Sequence, residues 1–312
     1  MLLRFLPMTQ TARSNGLTRR MTMLLVLGSF LAIAGCSQQA PQPRHILAIP
    51  PVRQEIHILN DRAALLAKVR LTGEVRLTLT NRDGDTSNFQ AHAVLLVDQN
   101  RVPHLLLVGT YLGQNAFEMG MNRRFYWLID HTHKVAYVGR VGMQYRLPVG
   151  IMPLRPQRVL DMLGITPLMI SGATRVALFN IPHADRYNIL LLHSGGGEVD
   201  YIDRQISISR YTGQICLVRL YNRDGRAIAY ADLSRYRPIG SAFDGVKVPF
   251  HIVIHYIDVH AEMNFHIKHA VLQYPGYTKF IFATPSFQGL KVVDIDNPAN
   301  WITTRPSTTT MK

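Results

Sequence analysis

Two cysteines, thirteen histidines and one glycine-rich run carry most of the reactive side-chain chemistry in this 312-residue chain. Cys36 follows a fourteen-residue apolar run, Met21 to Ala34, in "LAIAGCSQQAPQPR". Cys216 lies in "GQICLVRLY" and reads as a half-buried strand cysteine, since a nucleophile needs a base and an electropositive niche. With a single thiol left inside an exported body, no internal disulfide framework is expected. His131 and His133 share one strand face, and His251 and His255 another, but zinc takes three or four converging ligands. These pairs read as solvent-facing histidines, and neither a metal nor a cofactor is expected. "HSGGGE", His193 to Glu198, has the composition of an oxyanion loop. No Gly-x-Ser-x-Gly elbow accompanies it, so a glycine hairpin turn is the better reading. The "NRDG" tetrads at 81 and 222 are tight turns with nothing like an EF-hand after them. No phosphate loop, dinucleotide fingerprint or paired-carboxylate motif stands out, and the chain is not expected to be an enzyme.

The chemistry of Cys36 is set by what precedes it. The first 35 residues carry Arg4, Arg13, Arg19 and Arg20 and no acidic residue, and the apolar run ends in the small Ala34 and Gly35. This is the layout of a secretory signal peptide. The run is too short to span a hydrocarbon core of about 30 Å. Arg19-Arg20 would suit a twin-arginine signal, but Met21-Thr22-Met23 departs from its usual continuation. Ile33-Ala34-Gly35-Cys36 resembles the bacterial lipobox. That resemblance implies transfer of a diacylglyceryl group to the Cys36 thiol, cleavage after Gly35 and fatty acylation, for example with palmitate, of the new amino group. Each buried methylene adds about 0.8 kcal/mol, so several chains make a durable membrane anchor. Ser37 stands where an aspartate retains many lipoproteins at the inner membrane. By the same resemblance, the periplasmic face of an outer membrane is the expected location.

The formal charge of +14 becomes +10 once the four signal-peptide arginines are removed. The basic residues are spread along strands such as "RLTGEVRLTLTNR" rather than gathered in a block. They fit a solvated polar face or attraction to anionic lipid head groups, and export argues against nucleic acid. Four segments are expected: a signal peptide over 1–35, a flexible Gln/Pro/Ser tether over 36–50, a folded body over 51–302 and a disordered polar tail over 303–312.

Inside the body the pattern is mostly strand. Helical spacing predicts a helix over Pro51 to Lys68 and a second over Arg155 to Gly164. Elsewhere period two dominates, as in "VRLTGEVRLTL", and about thirteen strands are predicted, the last over Lys279 to Ala283. Long strands with one apolar face must cover it, and only two helices are available. The expected fold is mainly β (α+β), a large curved antiparallel sheet forming an incomplete barrel wrapped around two or so helices. Phe117, Met119 and Met121 share one strand face, and Phe125 and Trp127 share a face of the next. Ile252 and Ile254 lie on one face of "VPFHIVIHY", and Met263 and Phe265 on one face of "AEMNFHIKHA". These nine residues are either plain core or the lining of a cavity for a variable apolar ligand, a role methionine suits.

The order of a leading helix, "VRLTGEVRLTL", "AHAVLLVDQNRVPHLLLVG", "FEMGMNRRFYWLID", "IDRQISISRYTGQICLVRLYNRDGRAIAYADLSRY", "GVKVPFHIVIHY" and "AEMNFHIKHAVL" resembles the LolA/LolB superfamily of lipoprotein-localisation proteins. The resemblance covers roughly Pro51 to Pro285. It implies an incomplete antiparallel barrel with helices over its open side and a hydrophobic cavity that receives acyl chains. LolA carriers are soluble, whereas LolB is itself a lipoprotein and delivers to the membrane with an exposed hydrophobic loop; no stretch of this sequence singles out such a loop. Mycobacterial lipid-carrying lipoproteins share a similar shape, which leaves other lipids open as ligands. The implied function is a membrane-anchored lipoprotein that binds a lipid or lipoprotein acyl chain, with other lipoproteins as partners. The alternative is a structural or regulatory envelope lipoprotein that holds a protein partner through its sheet.

Overall fold

The computed structural model describes residues 46–297 except 81–85, 100–101, 143–155, 172–173, 181–183, 195–199, 241–244, 258–259 and 274–280. The signal segment, Cys36, most of the tether, the tail, the first "NRDG" and the Gly-Gly-Gly-Glu turn lie outside the described residues.

Helix α1, Val52–Leu65, starts at Pro51, whose extended backbone and missing N–H suit a helix entrance. Ile56, Leu59, Ala63 and Leu66 recur on one face and are buried. Glu55 in the first turn and Arg62 in the last complement the helix dipole. The helix is shorter than predicted because the sheet claims Lys68, which pairs with Asp98.

Six strands follow in a meander: β1 (Lys68–Thr80), β2 (Thr86–Asp98), β3 (His104–Tyr111), β4 (Gln114–Met121), β5 (Phe125–Asp130) and β6 (Val135–Arg140). Helix α2, Pro156–Met162, comes next. A second meander then runs through β7 (Thr174–Asn180), β8 (Arg186–Ser194), β9 (Asp200–Ser209), β10 (Ile215–Tyr221), β11 (Ala227–Ile239), β12 (Val246–Tyr256) and β13 (Ala261–Leu272). The short β14, Lys291–Asp294, closes the list.

All fourteen belong to one sheet in the order β14-β6-β5-β4-β3-β2-β1-β13-β12-β11-β10-β9-β8-β7. The two meanders join where β1 pairs antiparallel with β13. The end strands β7 and β14 do not pair with each other, so the barrel is incomplete, as expected. The chain between β6 and β7 must pass from one arm of the sheet to the other, and it carries α2 over the concave face. There α2 touches β3 and β4 of one arm and β10 of the other. Leu160, Met162, Leu163, Ile165 and Leu168 on this crossover are all buried. Asn60 of α1 brackets it, accepting from the Leu168 N–H at 2.7 Å and donating to the Leu168 carbonyl at 3.2 Å. Gln99 donates to the Ile165 carbonyl at 2.9 Å.

One predicted strand is corrected. Residues 281–283 of the expected Lys279–Ala283 strand are in a turn, and the last strand is β14 instead. It adds to β6 in parallel, and the segment before it crosses the convex face, where Phe287 and Leu290 pack against the cluster of Trp127, Ile129 and Ala136. Four residues lending their backbone to a sheet edge leave no periodicity to read.

Candidate functional site

Seven of the nine apolar candidates meet in one core cluster: Phe117, Met119 and Met121 from β4, Ile252 and Ile254 from β12, and Met263 and Phe265 from β13. Ile252 faces Phe265 and Ile254 faces Met263 across the strand pair. Trp127 belongs to the second cluster, on the convex face, and Phe125 shares its side of β5. The β4–β5 turn explains the split. Asn122 and Phe125 bracket a two-residue loop, so Met121 pairs with Tyr126 and Gly120 with Trp127. Odd residues of β4 therefore share a face with even residues of β5. The inward residues are Tyr126 and Leu128, to which spacing within a single strand does not point. The Arg-Arg turn length was the signal that would have found them. Glycines make room for the aromatic rings here: Phe117 covers Gly109, Trp127 covers Gly120 and Tyr126 covers Gly139, and a β-carbon at any of the three would overlap the ring.

The concave side is largely packed. A cavity of about 200 Å³ lies between α2 and the β4–β6 arm, lined by Met121, Tyr126, Arg140, Val141, Pro156 and Arg158 among others. That is below the roughly 300–1,000 Å³ of sites that enclose drug-sized ligands. The base of α2 is charged. Arg158 pairs with Asp203 at 3.0 Å, and Arg204 with Asp161 at 2.8 Å. A bulge opposite Leu191 and Leu192 in β8 lets the adjacent Asp203 and Arg204 of β9 both be buried. Burial alone would lower the Arg158 pKa, but Asp203 and then Asp161 outweigh it and hold the charge more firmly than usual. At the base of α1, burial raises the Glu55 pKa, only partly opposed by the hydrogen bond from Tyr187.

The opposite end of the concave face leads outward. Tyr111 pairs with Gln114, leaving Leu112-Gly113 as a two-residue hairpin loop with φ of 49° and 78°. Both values are positive, the signature of a tight type I′ turn. Leucine is rare in that conformation, and Leu112 is 86% exposed at the tip. Tyr111 beside it is 56% exposed. Behind them, Phe89 lies 6.4 Å from the Tyr111 ring and 6.0 Å from the Phe117 ring. An apolar track thus runs from Leu112 through Tyr111 and Phe89 to Phe117 and the core. Only its inner end was marked in the sequence, because a leucine at a hairpin tip matches no turn signature.

Three of the four candidate histidines have polar partners, whereas the His131 Nε2 is buried without a hydrogen bond. His133 bonds Asp130 at 2.7 Å. His251 bonds Ser234 and Asn264, and His255 approaches Glu262 and Asp232. Among the described residues no three metal-binding side chains converge. The Cys216 thiol donates to the Ser207 carbonyl, and burial pushes its pKa up, away from nucleophilic use. No helix among the described residues is long and apolar enough to cross a membrane.

The unclosed sheet, antiparallel except for β14, with two helices on its concave side is a fold shared with solved structures. No family model and no curated protein matches the chain in sequence. Among solved structures, the chain is similar to a DUF1329 family protein from Desulfovibrio piger ATCC 29098, with 12% identity, a TM-score of 0.50, and 75% of this chain and 98% of that one covered. It aligns with a LolA superfamily protein from Nitrosomonas europaea at 12% identity and a TM-score of 0.47, covering 73% of this chain and 97% of that one. A Vibrio parahaemolyticus domain ascribed to outer membrane lipoprotein sorting aligns at 11% identity and a TM-score of 0.48, covering 75% and 97%. At such identities the likeness is one of fold.

Proposed function

We propose that this is a membrane-anchored envelope lipoprotein, held through lipidated Cys36 at the periplasmic face of the outer membrane, whose half-barrel takes up a lipid or lipoprotein acyl chain and passes it to the membrane. The observation that carries this reading is the track from the exposed Leu112 tip through Tyr111 and Phe89 to the Phe117 end of the core. It offers the hydrophobic loop that the LolB resemblance calls for, joined to the face where an acyl chain would lie. The cavity beside α2 holds only about 200 Å³, so uptake involves displacement of side chains there. Met119, Met121 and Met263 line the same core and re-pack easily. The reading needs no cofactor, no nucleic acid and no covalent step; release follows from the difference in affinity between core and bilayer.

Native mass spectrometry of the full chain from its own host is expected to show a bound acyl lipid. Loaded with a fluorescent acyl lipid, Leu112→Asp is expected to release it to acceptor vesicles about tenfold more slowly, since inserting one leucine is worth about 1.5–3 kcal/mol. A chain that carries no lipid, together with wild-type release from the variant, would sink the reading.

A second reading is favoured by β7, which ends the sheet and exposes Phe179. A partner strand could add to such an edge. Crosslinking in cells that captured a stoichiometric protein at β7, with no extractable lipid, would favour an envelope protein that holds a protein partner.

A further inference from the structure

The convex face carries a groove of about 210 Å³ lined by Glu74, Val75, Arg76, Gln90, His251, Asn264 and His266. It sits on one row of cross-strand partners: Ser234, His251, His266, Glu74, His92 and Thr110, on six adjacent strands from β11 to β3. Three of the six are imidazoles. The row ends two residues from the Leu112 tip, so groove and tip lie at nearly the same level across the strands.

The groove is rich in donors and poor in negative charge. Its one carboxylate, Glu74, is taken by Lys268 and by the Gln90 amide at 3.4 Å. The Lys268 hydrogen bond and charge hold the Glu74 pKa below the ordinary value, and His266 and His92 add to that effect. Arg76 reaches only the neutral Gln90, at 3.4 Å, and Arg235 folds over from β11 to bring its guanidinium 3.4 Å from His266 Nε2. Among the described residues neither arginine has a carboxylate partner. The His251 and His266 rings lie 5.1 Å apart. Asn264 Oδ1 accepts from His251 Nε2 at 3.1 Å, which leaves the amide N–H groups of Asn264 as further donors.

A cation would meet Arg235 beside His266, and the groove's carboxylate is already neutralised. An anion with several acceptor oxygens would meet the Arg76 guanidinium lining the groove and the Arg235 guanidinium beside His266 at its edge, neither held by a carboxylate among the described residues, and guanidiniums bind phosphate oxygens in a fork geometry. We propose that this groove is a site for a phosphate group, held by Arg76, with Arg235, His266 and Asn264 as flanking partners. The group belongs either to a phospholipid headgroup, met when the Leu112 end faces a bilayer, or to a free phosphate. The site lies on the opposite face from the acyl-chain track; its headgroup form rests on the bilayer-facing Leu112 tip, whereas binding of free phosphate does not.

The test is a titration of the full chain, carrying ring-labelled histidine, in a phosphate-free non-ionic detergent at constant ionic strength. One arm adds inorganic phosphate and the other a short-chain phosphatidylglycerol. The His251 and His266 signals are expected to shift, with binding weakened about tenfold or more in Arg76→Gln/Arg235→Gln and unchanged in Arg186→Gln, outside the groove. A response to both probes marks a general phosphate site, and a response to the lipid alone marks a headgroup site. Rings unmoved by either probe, or equal affinity in the double variant, would overturn the proposal. Lipid loading and release, read on the concave face, remain a separate measurement.

Discussion

Single residues settle what the two faces of the sheet can do. Glu55 is buried at the start of α1, and its raised pKa means that the folded state binds its proton more tightly than the unfolded chain. Its contribution to stability is therefore fully present below the unfolded value near 4.5 and is lost as pH rises through the higher folded value. Glu55→Gln keeps an acceptor for the Tyr187 hydroxyl without the charge. Chemical denaturation between pH 4 and pH 8 is expected to show the variant gaining on the wild type as pH rises. A difference independent of pH would show that Glu55 titrates alike in both states. Leu112 is the counterpart at the surface: an apolar side chain held outward by a turn that leucine rarely adopts.

Among the elements, α2 has only seven residues and cannot hold itself together, so its position depends on what it packs against. Leu160 and Met162 bury into the sheet, and Asp161 meets Arg204. Asp161→Asn would leave Arg204 charged and nearly buried, at a cost of about 3 kcal/mol. Asp161→Leu/Arg204→Met removes both charges and is expected to recover most of that loss in urea denaturation, because a buried ion pair adds little over apolar packing. If the double change were as damaging as the sum of Asp161→Leu and Arg204→Met measured alone, the pair would not be coupled. The same experiment bears on uptake, since α2 borders the cavity that an acyl chain would have to enlarge.

For the whole molecule, the lipoprotein reading separates anchor from body. Ile46 onward forms a compact unit, and among the described residues the core clusters begin at Ile49. Cys36→Ser removes the thiol that takes the diacylglyceryl group. The variant is expected to lose fatty-acid labelling and detergent-phase partitioning while keeping the wild-type unfolding midpoint. Cys216→Ser, inside the sheet, is expected to keep both label and partitioning. Labelling of Cys36→Ser at the wild-type level would show that Met21 to Ala34 is a signal or anchor of another kind.

Thirteen of the strands were legible in the sequence, because alternation along β1 and the inward run of Ile252 and Ile254 are local consequences of a half-buried pleat. The sequence by itself determined the two helices as well, through Pro51, Pro156 and Gly164, whose φ of 65° follows α2. Nine apolar residues were marked, and the fold brought seven of them together. Trp127 and Phe125 went to the other face because facing depends on the parity of the Asn122–Phe125 turn as well as on spacing within a strand. The parallel strand β14, the Leu112 tip and the arginine-flanked groove had no local signature at all. Each is made by residues distant in the chain, or by a backbone conformation unrelated to side-chain type. These are products of tertiary structure, because hydrogen bonds at a sheet edge and polar groups gathered from neighbouring strands exist only once the strands are in register.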